Sequence, residues 1–79
     1  MPRFYFDVFD NGQPAVDEVG SELSDALAAR VEAVRRLPQI VREALGGAEE
    51  HRELAIVVRD HDRRRLYRVT LALDVEALS

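Results

Sequence analysis

Apolar and polar positions alternate at both ends of this chain and repeat every three to four residues in its middle. Residues 3–9, RFYFDVF, put Phe4, Phe6 and Val8 on one side and Tyr5, Asp7 and Phe9 on the other, the period of a strand. Asn11-Gly12 follows, and a type I′ turn needs positive φ at both of its central residues, which this pair tolerates best. With these two as the loop, Val8 opposes Ala15 and Phe6 opposes Asp17, so the return strand QPAVDEV is short. Pro14 has no N–H for a ladder, which places that second strand at a sheet edge.

The stretch SELSDALAARVEAVRRL predicts a helix. Ser24 is the expected N-cap, with Asp25 in the first turn, where a negative charge suits the helix dipole. Leu27, Val31, Val34, Val41 and Leu45, with Leu37 beside them, form the stripe expected to face the core, and Arg30, Glu32, Arg35, Arg36, Arg42 and Glu43 face water. Pro38 interrupts this pattern and predicts a kink or break near Leu37. Gly46-Gly47 is the expected terminator and AEEH, residues 48–51, a loop.

Two more alternating segments close the chain, ELAIVVR and RLYRVTLALDV. Parity requires Ile56 to face Tyr67 or a position two away, which leaves a loop of two residues, His61-Asp62, or of four, Asp60 to Arg63. His and Asp fit paired positive-φ positions poorly, so the four-residue loop around a type I turn is preferred. That register sets Arg59 across from Arg64 and Arg68 across from Ala55. The expected fold over residues 1–79 is a single α+β domain, β-β-α-β-β, a four-stranded antiparallel sheet with one helix on one face. The longest strand, the fourth, is expected at the centre, giving the order second, first, fourth, third.

Size and charge sharpen this picture. Seventy-nine residues bury a small core, so association with a second copy adds stability that the monomer lacks. The chain has no cysteine, which removes disulfides, thiolate nucleophiles and cysteine-ligated zinc. No apolar run approaches membrane-spanning length and no secretory leader pattern opens the chain, so a cytoplasmic location is expected. The net charge of −4 is uneven. Residues 1–25 set Arg3 against Asp7, Asp10, Asp17, Glu18, Glu22 and Asp25; residues 51–79 carry six arginines against five acids. All eleven cations are Arg, which suits forked contacts to carboxylate or phosphate, although a GC-rich coding bias yields the same usage.

Five of those arginines lie in RDHDRRRLYR, residues 59–68. Crowded like charges call for a nearby anion. Internal candidates are Asp60, Asp62 and, if the first strand lies alongside, Asp7; the external alternative is a phosphate or acidic partner gripped by Arg59, Arg64, Arg65 and Arg68. The acidic total charge argues against nucleic acid. His61 between Asp60 and Asp62 lacks a convergent third metal ligand, His51 reads as a solvated loop residue, and no serine has a paired base, so no catalytic, cofactor or metal site is expected. On the sheet face away from the helix, Tyr5, Phe9, Val57 and Leu66 form an apolar patch that suggests a homodimer contact, with a paired sheet edge as the alternative.

The opening MPRFYFDVFDNGQ, then DEVGSEL leading into ALAARVEAVRRL, and RELAIVVRD followed by LYRVTLALDVE resemble a family of short alphaproteobacterial proteins known as a domain of unknown function. The resemblance implies a bacterial, cytoplasmic, single-domain protein with no established activity. Residues 3–45 also resemble the N-terminal domain of HicB-type antitoxins, the part that engages a toxin; the alternative expectation is an antitoxin-like or accessory regulator binding nucleic acid or an acidic partner through the arginine-rich hairpin. The leading expectation remains a non-enzymatic protein-interaction module that self-associates.

Overall fold

The computed structural model describes residues 1–46 and 50–79. Its elements run β1 (Arg3–Asp10), β2 (Gln13–Ala15), β3 (Ser21–Glu22), α1 (Ala26–Ala44), β4 (His51–Arg59) and β5 (Arg65–Asp74). All pairings are antiparallel, in the order β2-β1-β4-β5, with the two-residue β3 pairing the start of β1. The expected α+β layout of one helix on an antiparallel sheet is therefore present, with β3 as an additional strand.

The expected strand order is corrected: β4, not the longer β5, lies beside β1. Composition decided this. Leu54, Ala55, Ile56, Val57 and Val58 are all buried, an unbroken apolar run suited to a strand covered on both faces. In β5 the same span alternates with Arg68, Thr70 and Asp74, which belong at an edge.

The first hairpin follows its turn chemistry. Asn11 and Gly12 have φ of 49° and 85°, Val8 pairs with Ala15, and β2 sits at the edge as Pro14 requires. The return strand stops after three residues, however. Asp17 does not continue the ladder with its backbone; its Oδ2 accepts the Phe6 N–H at 3.0 Å. The chain then loops outward and rejoins β1 at Ser21–Glu22.

The second hairpin keeps its parity and changes its register. Ile56 faces Val69, Arg68 faces Val57 rather than Ala55, and Arg59 faces Arg65 rather than Arg64, with an irregularity between Val58 and Arg59. The turn explains the shift. Arg63 donates to the Asp60 carbonyl at 3.1 Å and takes φ of 66°, the left-handed residue that follows a type I turn in a three-residue loop. Asp60 Oδ1 fastens it by accepting from Asp62 N (2.8 Å) and Arg64 N (3.0 Å). Leu66 is the extra residue of the resulting bulge.

The helix departs most from expectation. Asp25, extended at φ −162°, is the N-cap in place of Ser24, its Oδ1 accepting from Ala28 N at 2.8 Å. Pro38 does not break α1. It lies on the exposed side, one turn after exposed Val34, so the carbonyl it leaves without a donor is open to water. The helix ends at Leu45, extended at φ −83°, rather than at a left-handed glycine. Gly47 and the Ala48-Glu49 part of the expected loop lie outside the described residues, and His51 begins β4 instead of belonging to a loop.

The face turned to the sheet is Ala29, Ala33 and Leu37; of the expected stripe, Val41 packs against this core, while the N-terminal half does not. Leu27, Val31 and Val34 are 58, 60 and 54% exposed. Two alanines let the helix backbone approach a sheet whose bulk comes from Phe4, Phe6, Leu54, Ile56 and Val58. Each such large side chain gains about 1.5–3 kcal/mol by leaving water. Arg36 fixes the rotation about the helix axis: its guanidinium lies 4.1 Å from the Phe6 ring centroid and bonds Ser21 Oγ (3.1 Å) and Glu32 (2.7 Å).

Gly20, at φ 76°, is held against the sheet; a Cβ there would stand 2.8 Å from the Tyr5 ring and 3.0 Å from the Phe4 carbonyl oxygen. Gly12, at φ 85°, has nothing within 4 Å of a Cβ. Replacing either by Ala incurs the left-handed backbone cost of about 1–2 kcal/mol, and only Gly20→Ala adds a clash. Thermal unfolding should show a clearly larger fall in Tm for Gly20→Ala than for Gly12→Ala.

Candidate functional site

The arginine hairpin and the first strand meet in one polar cluster on the sheet face away from the helix. Asp7 and Val57 are cross-strand partners, as are Tyr5 and Arg59, so Arg59 reaches diagonally to Asp7. Arg59 Nε donates to Asp7 Oδ2 at 2.6 Å and one of its terminal nitrogens to Oδ1 at 3.1 Å, a forked pair. The same nitrogen donates to the Asp17 carbonyl at 3.1 Å, and the guanidinium carbon lies 4.9 Å from the Tyr5 ring centroid. Asp7 is the one charged residue among those described that is buried.

Asp17 completes the cluster. Its Oδ1 accepts from Val19 N (3.1 Å) and Gly20 N (3.0 Å), its Oδ2 from Phe6 N, and its own N–H donates to Asp7 Oδ1 at 2.9 Å. Burial raises the cost of charging both carboxylates. At Asp7 the Arg59 hydrogen bonds, the Asp17 N–H and the guanidinium charge outweigh that cost, and its pKa falls below the ordinary value. At Asp17 the N–H groups of Gly20, Phe6 and Val19 do the same, helped by the charge of Arg36. Arg59 is pushed up, chiefly by its bond to Asp7. Further along the strands, Arg52 grips Asp10 through two contacts of 2.7 Å and lowers its pKa.

Arg59, singled out as a binding residue, is thus neutralised from within, by Asp7. Asp60 and Asp62 contribute no ion pair to it; Asp60 serves the turn backbone, and Asp62 lies 3.5 Å from His61. Arg64 and Arg65 are exposed at the hairpin tip, separate from the cluster, and the Arg68 guanidinium sits 5.8 Å from the Phe9 ring centroid. The patch of Tyr5, Phe9, Val57 and Leu66 is not one apolar surface. Val57 is 2% exposed, Leu66 is turned by the bulge to pack against the core, and Tyr5 and Phe9 are half-buried with guanidinium groups over their rings. His51 is exposed as expected but begins a strand instead of lying in a loop; its Nδ1 stands 2.5 Å from Asp74 Oδ1 across the β4–β5 pair, which raises its pKa.

The apolar surface lies elsewhere. Val41, Leu45, Leu54, Leu71 and Leu73 line a groove between the end of α1 and β5. Arg36 points to the opposite side of the helix, toward Ser21 and Phe6. At 3.6 residues per turn, Leu27 and Val34 fall within roughly 40° of Val41 and Leu45, whereas Val31 turns away from the sheet. Among the described residues no strand pairs with the outer side of β5. Val75 N–H donates to the Glu50 carbonyl at 2.7 Å, so the residues in phase with it, Leu73, Leu71, Val69 and Tyr67, turn their N–H and C=O toward β4. Those of Arg68, Thr70, Ala72 and Asp74 point to the open edge. Sequence reading missed this surface because the helix stripe was assigned to the core; the available signal was the second, smaller stripe of Ala26, Ala29, Ala33 and Leu37.

Domain of unknown function (DUF6894) matches residues 3–72. The chain belongs to this family. No curated protein and no solved structure matches the chain. The DUF6894 match runs from β1 through most of β5, and so covers the Asp7–Arg59–Asp17 cluster and the open edge as far as Ala72. Among the described residues no helix is long and apolar enough to cross a membrane.

Removing the Asp7 charge leaves Arg59 half-covered without its partner and should cost about 3 kcal/mol. Because the folded pKa values of Asp7 and Asp17 lie below the unfolded value near 3.8, the stability they supply is complete above that value and fades as pH falls through the folded values. Urea denaturation should therefore find Asp7→Asn much less stable than the parent at pH 7, the difference shrinking as the pH falls below 3.8.

Proposed function

We propose that this domain is a non-enzymatic protein-interaction module whose first partner is a second copy of itself, joined through the open edge of β5 and the adjoining apolar side of α1. The observation that carries the reading is the coincidence of two unfinished surfaces on one side of the molecule. Arg68, Thr70, Ala72 and Asp74 aim unpaired backbone groups outward, exposed Leu71 and Leu73 belong to the same strand with exposed Val75 just after it, and Leu71 and Leu73 share a groove with Val41 and Leu45 of the helix end. A strand of this length with no proline invites another strand. A two-fold axis through the edge sets both helices on the same face of a joined sheet. The two β4 strands are then three strand spacings apart, roughly 14 Å, near enough for helices of roughly 10 Å diameter to bring their apolar sides together. For a chain with so small a core, this burial adds what the monomer lacks.

A second reading, an antitoxin-like or accessory regulator that grips an acidic partner or nucleic acid, is favoured by one observation. Arg63, Arg64 and Arg65 are exposed together at the hairpin tip, and among the described residues no carboxylate is paired with them. Arg59 is withdrawn from that set by Asp7.

Light scattering of the full chain at tens of micromolar should report twice the monomer mass. Thr70→Pro removes only an outward N–H, so it should leave far-ultraviolet circular dichroism unchanged while returning the protein to monomer; Val34→Glu should weaken the dimer. A parent protein that stays monomeric, or a Thr70→Pro dimer as tight as the parent, overturns the reading. For the hairpin, three phosphate contacts imply that binding to a nucleic-acid duplex falls by roughly 40-fold between 50 and 200 mM salt; absence of binding at the lower salt removes it.

A further inference from the structure

Resting on the self-association proposed above, we infer the register of the interface: two β5 strands pair antiparallel about Leu71, setting Arg68 of each copy opposite Asp74 of the other. Backbone phase, side-chain facing and strand charge together select it. The outward backbone groups belong to even-numbered residues, fixed by the Val75–Glu50 bond, so an even residue must pair with an even one. The same parity keeps side chains of one face together, since Tyr67, Val69, Leu71, Leu73 and Val75 lie toward the helix and Arg68, Thr70, Ala72 and Asp74 away from it. A two-fold axis then passes through Thr70, Leu71 or Ala72, or further along the strand.

Charge selects among these. β5 is basic at its start, with Arg65 and Arg68, and acidic at its end, with Asp74, so it is complementary to its own reverse. Centring on Thr70 sets Arg68 against Ala72 and Leu66 against Asp74. Centring on Ala72 leaves Asp74 against Thr70 and sends Arg68 to Glu76, beyond the end of the strand. Centring on Leu71 alone opposes Arg68 to Asp74, twice by symmetry, with both partners inside the strand. On the helix side it matches Val69 with Leu73, Tyr67 with Val75 and Leu71 with itself, all apolar. Arg68 is free to make the pair. Its only described partner is the Phe9 ring at 5.8 Å, the outer limit of a cation–π contact. Asp74 is exposed and holds His51 through one oxygen, Oδ1, which leaves Oδ2 for the incoming guanidinium.

The chain has no cysteine, so single cysteines report the register directly. Opposed residues at a non-hydrogen-bonded antiparallel site have Cα atoms about 4.5 Å apart, within disulfide reach, whereas a two-residue offset puts them about 8 Å apart, outside it. Mild oxidation of full-length Thr70→Cys, Leu71→Cys and Ala72→Cys should crosslink Leu71→Cys to a covalent dimer and leave the other two largely uncrosslinked. Independently, Arg68→Asp and Asp74→Arg should each weaken the dimer about tenfold, and the double variant should recover it. Strongest crosslinking at position 70 or 72, or a double variant no tighter than the singles, overturns this register while a persisting dimer leaves self-association standing. A protein monomeric by light scattering removes self-association itself, and the register with it.

Discussion

The Asp7–Arg59 pair is the contact on which the arrangement of this domain turns. It joins the first strand to the end of the central one across 52 positions of sequence. A carboxylate buried on a sheet face is tolerated only when its charge and hydrogen bonds are answered. Arg59 supplies the charge and two bonds, and Asp17 N–H supplies the third. In accepting that N–H, Asp7 places Asp17 so that the Asp17 carboxylate collects three backbone donors of its own. The segment between β2 and β3 is thereby fastened to the sheet where the ladder has lapsed, and Gly20 is brought under Tyr5.

The pair also settles what the arginine hairpin is. A turn with Asp60 at its head and a left-handed Arg63 bends the chain back with a bulge at Leu66 and leaves Arg63, Arg64 and Arg65 in solvent, while the β1–β4 ladder pairs Arg59 with Tyr5 and sets its guanidinium over that ring. One cluster of like charges is thus divided into a structural member and an exposed remainder. Arg68 belongs to neither part, and stands instead at the row of β5 that faces the open edge.

Helix rotation has the larger consequence for function. Two apolar stripes share α1. The one made of small residues faces the sheet, because a sheet already filled by two phenylalanines and three aliphatic side chains leaves room for methyl groups and little more. Arg36, stacked on Phe6 and bonded to Ser21, closes the other flank. The larger residues, Leu27, Val31 and Val34, are left exposed, while Val41 and Leu45 at the helix end line a groove with Leu71 and Leu73 of β5, the strand whose hydrogen bonds are unfinished. Apolar area and unpaired backbone therefore coincide at one border of the molecule, which is the physical basis for assigning a partner there.

Local chemistry was legible in the sequence. Asn11-Gly12 determined a two-residue turn and the register of the first hairpin; alternation determined the strands and which residues share a face; Pro14 determined an edge. Asp7 was identifiable as a possible counter-ion of the arginines, conditional on strand adjacency. What the tertiary structure decided is that adjacency, together with the rotation of the helix and the two-residue shift of the second hairpin. Each depends on a comparison that no local pattern contains. Strand order turned on which strand could be buried on both faces, helix rotation on the volume left above Phe4 and Phe6, and the hairpin register on a side chain, Asp60, satisfying turn N–H groups. The sequence alone determined which surfaces of each element are apolar. Only packing decided which of them are covered, because covering one face of a small domain necessarily leaves another open.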